Sequence, residues 1–170
     1  MKEVSSITSF TNEGPLSKVP PLSKSVYEKF VPIFAQKAQE LTLQLPDTAL
    51  PSVFADEQRL EQILSILLDN AHSYAPEGSS VQLRVDQCEE GKTRFWVVDH
   101  GPGIPDEEKQ AVFHYFYRRE AQQQQAPNKA GHYGLGLSVA TELARLQQGS
   151  LTVLDTPGGG ATFCLTVCSA

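Results

Sequence analysis

Four short segments of the 170-residue chain place residues capable of ligand chemistry at informative spacings. In Leu67-Leu68-Asp69-Asn70-Ala71, Asn70 falls at the edge of a helical apolar stripe, where its amide can face a cavity while the helix stays packed. Tyr74 follows one turn later on the same side. In Val98-Asp99-His100-Gly101-Pro102-Gly103-Ile104 an apolar run ends at an acid and meets two glycines spaced by one. Glycine lets the backbone turn through positive φ and approach a ligand closely. A carboxylate only accepts hydrogen bonds, so Asp99 suits an exocyclic amine such as adenine N6 and would repel guanine O6. In Gly131-His132-Tyr133-Gly134-Leu135-Gly136-Leu137-Ser138 three glycines open a predicted helix, whose free amides and positive dipole end make a phosphate-sized anion site without lysine. The fourth segment, Pro157-Gly158-Gly159-Gly160-Ala161-Thr162-Phe163, is a hairpin whose Thr162 begins a strand. Taken singly, each has a plainer reading: a solvated amide, a tight turn closed by an Asx-type bond, glycines for close helix packing, and a simple turn.

Other chemistries are excluded. The chain has no GxxxxGK[ST], no GxGxxG after a first strand, no HExxH and no GxSxG. His72, His100, His114 and His132 lack metal-ligand spacing and read as surface or loop positions. The three cysteines, Cys88, Cys164 and Cys168, form no CxxC and read as structural thiols of a reducing compartment. With 14 Lys and Arg against 20 Asp and Glu, a net charge of −6 and no basic run, no nucleic-acid or anionic-membrane footprint exists. No apolar stretch approaches the roughly 20 residues that span a bilayer, so this piece is expected to make no direct membrane contact.

The elements that must position these residues follow from periodicity. Residues 1–21, rich in Ser and Thr and ending in Val19-Pro20-Pro21, read as a linker or tail, and 22–170 as one domain. Val26, Phe30, Ile33 and Phe34 predict a helix over Ser23–Glu40, capped by Ser23 or Ser25 and interrupted by Pro32; Leu41, Leu43 and Leu45 then alternate as a strand. Leu60, Ile63, Leu64, Leu67, Leu68, Ala71, Tyr74 and Ala75 give a helix over Asp56–Ala75, stopped by Pro76-Glu77-Gly78. Strands are predicted at Val81–Val85, Arg94–Val98, Leu151–Leu154 and Ala161–Val167, with a third helix over Leu135–Gln147. The Arg94–Val98 run, apolar on both faces, belongs at the centre of the sheet. The fold class is α+β: a two-layer sandwich with a mixed, mostly antiparallel sheet and three main helices on one face. Residues 118–133, polar and Gln-rich, carry no pattern and read as a lid.

In this order the segments resemble the catalytic and ATP-binding domain of sensor histidine kinases, a branch of the Bergerat-fold ATPases. Asn70 stands at the defining asparagine of the N box; Asp99, Gly101 and Gly103 form the DxGxG box; Gly134-Leu135-Gly136-Leu137 matches the GLGL box. Phe113-His114-Tyr115-Phe116-Tyr117-Arg118 resembles the F box, which separates sensor kinases from their superfamily relatives. The likeness covers roughly Leu22 to Cys168. It implies that Asp99 binds the adenine amine, partly through water shared with Thr162, and that Tyr74 lines the base. Asn70 would ligate a Mg²⁺ bridging the phosphates, Tyr117 and Arg118 would reach the nucleotide from the lid, and Gly134 and Gly136 would offer amides to the phosphates. One protein oxygen suffices for such a Mg²⁺, because phosphates and water supply the rest. The chain departs from the pattern at Ile66, where many members carry a second polar residue, at Ser73, where many carry Lys, and at His114 and Tyr115, which replace Glu and Arg. Arg119, Lys129 and His132 are the basic residues left in the lid.

The implied activity is transfer of the γ-phosphoryl group of Mg-ATP to a histidine on a dimerisation domain, with a response regulator as the next partner. The domain contributes positioning and electrostatics, Arg118 included, and no covalent nucleophile. The acceptor motif, His followed by Glu or Asp and Arg-Thr-Pro-Leu, does not occur in these residues, so the chain is expected to be a cytoplasmic piece of a kinase anchored in the cell membrane. Two rival expectations are an anti-sigma-type serine kinase on the same fold, against which the F box counts, and a pseudo-kinase binding module.

Overall fold

A computed structural model describes residues 14–114 and 130–170, with 130–135 described as backbone only. Among the described residues the elements run β1 (Leu16–Ser17), α1 (Val19–Ala35), β2 (Glu40–Gln44), β3 (Val53–Phe54), α2 (Glu57–Tyr74), β4 (Ser80–Cys88), β5 (Lys92–Val98), two short 3₁₀ turns (Asp106–Glu108 and Ala111–Phe113), α3 (Ala130–Leu146), β6 (Ser150–Asp155) and β7 (Ala161–Cys168). The main sheet has five strands in the order β2-β4-β5-β7-β6. β2 lies parallel to β4 and every other pairing is antiparallel. This is the expected mixed sheet, with β5 at its centre.

One face of the sheet makes the core. Val81, Leu83 and Val85 of β4, Phe95 and Val97 of β5, and Phe163, Leu165 and Val167 of β7 alternate inward, as period-two strands require. They meet Val26, Phe30 and Phe34 of α1, Leu60, Ile63, Leu64, Leu67 and Leu68 of α2, and Ala140 and Ala144 of α3. The architecture is therefore a two-layer sandwich. The other face corrects one detail: β5 is central but not buried on both sides. Arg94, Trp96 and Val98 are half-buried and turned away from the helices, and the guanidinium groups of Arg84 and Arg94 each lie 5.1 Å from the Trp96 ring centroid.

Packing begins before residue 22. β1 pairs with β3 through Leu16↔Phe54 and Ser17↔Val53, and Val19 is fully buried. The helix starts four residues earlier than the apolar spacing suggests because Pro20 and Pro21 occupy its first turn, where a missing N–H costs nothing. Ser23 is not a cap; it lies inside the helix with its hydroxyl donating to the Val19 carbonyl, 2.7 Å away. The helix also ends early, at Ala35, and Ala38 turns the chain with φ of 51°. By contrast α2 matches its expectation closely. Asp56 caps it by accepting from the Arg59 amide at 3.1 Å, and Ala75, extended ahead of Pro76, ends it.

Candidate functional site

Strand β5 delivers Asp99 to the edge of the core, 3% exposed. Its backbone N–H donates to the Ala161 carbonyl at 3.0 Å. Its Oδ1 accepts from the amides of Gly101, at 2.9 Å, and Ala161, at 3.1 Å. Both side-chain bonds fall on Oδ1, which leaves Oδ2 as the oxygen a ligand can address. Burial raises the carboxyl from its ordinary value, while the two amides and nearby His100 pull it down.

Glycines bring the surrounding backbone to this carboxylate. A Cβ on Gly160 would stand 2.1 Å from the Asp99 carbonyl oxygen, and the residue has φ of +123°, so no side chain fits. A Cβ on Gly101 would stand 2.9 Å from the Tyr74 carbonyl, which brings the end of α2 against the turn after Asp99. Gly103, at φ +74°, packs on Gly160. The turn is then pinned from outside: Lys109 donates to the Ile104 carbonyl and pairs with Asp155, each at 2.9 Å, and also bonds Asp106. The Gly160 and Ala161 contacts were not legible in the sequence, where the triple glycine reads only as a hairpin.

Helix α2 supplies Asn70 and Tyr74, both half-buried beside fully buried Leu67 and Leu68. Asn70, Tyr74, Asp99, Gly101 and Gly103 are thus carried by two adjoining segments, with Tyr74 meeting Gly101 directly. Ile66 is packed against the core and lies 3.4 Å from where a Gly136 Cβ would be, at the contact between α2 and α3. His72 corrects an expectation. It is 9% exposed, not a surface residue, and its Nδ1 lies 2.8 Å from Gln39 Oε1.

Three expectations meet a different geometry. Thr162 is not aimed at Asp99: its hydroxyl pairs with the Thr156 hydroxyl at 2.8 Å, and strand alternation sends its side chain to the face opposite Ala161. Helix α3 begins at Ala130, not Leu135, so Gly134, Leu135 and Gly136 lie past its first residues. Leu137, 8% exposed, is a core residue. Tyr117 and Arg118, with most of the F box and the lid, lie outside the described residues.

The donor set suits a magnesium nucleotide better than a protein-caged metal. Among the described residues no three His, Cys, Asp or Glu side chains group as metal ligands. One amide oxygen, that of half-buried Asn70, is the kind of single protein ligand that suits a cation arriving with phosphates.

The family described as "Histidine kinase-, DNA gyrase B-, and HSP90-like ATPase" matches residues 55–170. The adaptive-response sensory kinase SasA of Crocosphaera subtropica is 34% identical over 149 residues, which is 88% of this chain and 37% of that protein. The sensor histidine kinase TmoS of Ectopseudomonas mendocina is 32% identical over 142 residues, 84% of this chain and 14% of that protein. The chain therefore spans well under half the length of these relatives. Among solved structures, full-length ShkA in complex with AMPPNP superimposes with a TM-score of 0.76 at 28% identity, covering 93% of this chain and 32% of ShkA. The nucleotide-free catalytic domain of histidine kinase ThkA gives a TM-score of 0.77 over 92% of this chain and 97% of that domain; at 22% identity it bears on the fold alone. Motif order, fold and sequence similarity converge: the chain belongs to the histidine kinase-, gyrase B- and HSP90-like ATPases and is a sensor-histidine-kinase type of ATP-binding catalytic domain.

Proposed function

We propose that this domain binds Mg-ATP where Asp99 and Gly101 meet the C-terminal half of α2 and presents the γ-phosphate to a histidine of a dimerisation domain outside these residues. The observation that carries the reading is the Asp99 carboxylate, buried, fixed through Oδ1 by Gly101 and Ala161, and left with Oδ2 for an amine. Adenine offers that amine through N6; guanine offers a carbonyl oxygen there and is rejected by an unpaired acceptor. Tyr74 lines the base beside Gly101. Asn70, one turn back along α2, faces the phosphates, and Tyr117 and Arg118 are the F-box residues that the family likeness assigns to the nucleotide. A bound Mg²⁺ would neutralise the phosphate charge as it shifts toward the leaving oxygen, with Asn70 as its protein ligand.

In the transfer, the bond from the γ-phosphorus to the β,γ-bridging oxygen breaks, the bond to the acceptor histidine nitrogen forms, and ADP leaves. No residue of this chain becomes covalently modified; its part is alignment and charge stabilisation. A response regulator then takes the phosphoryl group from that histidine. No described helix is long and apolar enough to cross a membrane. A cytoplasmic site of action, with any membrane anchor elsewhere in the longer kinase, suits an ATP-dependent reaction.

Incubating the chain with γ-labelled ATP and a dimerisation domain supplied in trans should place acid-labile label on the acceptor histidine and none on this chain. Strong self-labelling would contradict these roles. The packing of Ile66 on Gly136, where many relatives have a polar group, favours a second reading in which the domain binds nucleotide without transferring it. Saturable binding with no transfer would establish that one.

A further inference from the structure

The last carbonyls of an α-helix have no partners within it, and at the end of α2 they are met by two side chains from the turn after α1. Lys37 Nζ donates to the carbonyl of His72 at 2.7 Å, with longer contacts to those of Ala75 at 3.4 Å and Ser73 at 3.5 Å. Gln39 Nε2 donates to the Ala75 carbonyl at 2.9 Å and the His72 carbonyl at 3.2 Å. Two carbonyl acceptors fix which end of the Gln39 amide is nitrogen, so its Oε1 must accept from His72 Nδ1, and the ring proton sits on that nitrogen. The His72 ring packs at 5.2 Å on Phe34, and the Gly78 amide returns a bond to the Lys37 carbonyl at 3.0 Å. The clasp is largely buried, and an ammonium at a helix C-terminus also complements the dipole.

This clasp grips the turn that carries the nucleotide residues. Its carbonyl partners at positions 72, 73 and 75 bracket Tyr74, whose own carbonyl is pressed on Gly101, and the Gly101 amide donates to Asp99 Oδ1. A continuous set of contacts therefore runs from the Lys37 ammonium to the Asp99 carboxylate. We infer that Lys37 and Gln39 are positioning residues for the nucleotide: by fixing the last turn of α2 against Gly101 they set the aim of Asp99, Tyr74 and Asn70 together. The inference rests on the nucleotide reading of the site. A plain helix cap would lend stability but leave ligand affinity untouched.

The test is calorimetric titration of the 170-residue chain with Mg-AMPPNP, well below the melting temperature, on Lys37→Met, Gln39→Met and Ser17→Ala. Ser17 supplies a comparable buried side-chain bond, to the Ala55 carbonyl at 2.7 Å, near the other end of α2. Lys37→Met and Gln39→Met should each weaken binding roughly tenfold and shift the Gly101 amide resonance of the nucleotide-free protein. Ser17→Ala should lower the melting temperature and do neither. Should Lys37→Met not fold, Gln39→Met alone decides. Wild-type affinity in the folded clasp variants with an unmoved Gly101 resonance would overturn the inference while leaving the site intact. Asp99→Asn separates the two claims: if it binds as tightly as the unaltered chain, or if neither binds, the nucleotide reading fails and this inference with it.

Discussion

Ile66 and Gly136 face each other across the contact of α2 and α3, 3.4 Å between the isoleucine Cγ2 and the place of a glycine Cβ. That spacing admits a methyl group without displacement, so Gly136 is not a glycine for want of room. Within a helix, glycine costs about 0.5–1 kcal/mol relative to alanine. Under the nucleotide reading proposed above, glycine there would let the start of α3 adapt to bound phosphates. Gly136→Ala should raise the melting temperature by about 2–4 °C and weaken Mg-AMPPNP binding several-fold. Thermal unfolding and calorimetry on the same sample check both halves.

The hairpin glycines divide sharply. Gly160 has φ of +123° and no room for a Cβ against the Asp99 carbonyl, whereas Gly158, at φ +88°, has open space around it. Gly160→Ala should lose at least ~2 kcal/mol of stability and the nucleotide signal with it. Gly158→Ala should cost about 1 kcal/mol through its φ alone and bind normally. Urea unfolding paired with titration separates the two.

Asp99 gives a pH dependence of definite sign. Burial, the largest influence, holds its carboxyl above the unfolded value, so the folded chain keeps the proton to a higher pH than the unfolded chain does. Between the two values the folded state binds more protons, and the stability contributed by this residue falls as pH rises through the window. The amine of adenine needs the ionised carboxylate, so Mg-AMPPNP affinity should rise as pH climbs through that same window. Asp99→Asn should flatten both trends, read as the difference between wild-type and variant curves of melting temperature and affinity against pH.

The single tryptophan offers an internal control. Trp96 shares the sheet face of Arg84 and Arg94, turned away from the helix layer that carries Asn70 and Tyr74. Its emission should stay unchanged on Mg-AMPPNP binding and shift to the red on unfolding. A nucleotide-dependent change would place the ligand, or a coupled movement, on the open face.

What the sequence disclosed depended on how local the physics was. Helix α2 was legible to within a residue because its apolar stripe, the Asp56 cap and Pro76 are all signals within the segment itself. The strands around Val81, Arg94, Leu151 and Ala161 were legible as strands, although β4 runs on to Cys88 and β5 begins at Lys92. The start of α1 was not, since two prolines look like a linker until one asks whether they sit in a first turn. His72 looked exposed because its partner Gln39 stands 33 positions away. Only likeness assigns Thr162 to the nucleotide; its orientation depends on strand parity, and the pairing of Val98 with Thr162 shows that its side chain and that of Asp99 leave opposite faces. The clasp from Lys37 to α2 likewise needed the fold to bring its parts together.

The most direct test of the account is competitive calorimetry of the unaltered chain with Mg-AMPPNP and its guanine counterpart. The arrangement around Asp99 predicts one saturable site for the adenine compound and at least a tenfold weaker response to guanine, about 1.4 kcal/mol or more of discrimination. Equal affinity for the two, or no heat from either at saturating concentration, would contradict it.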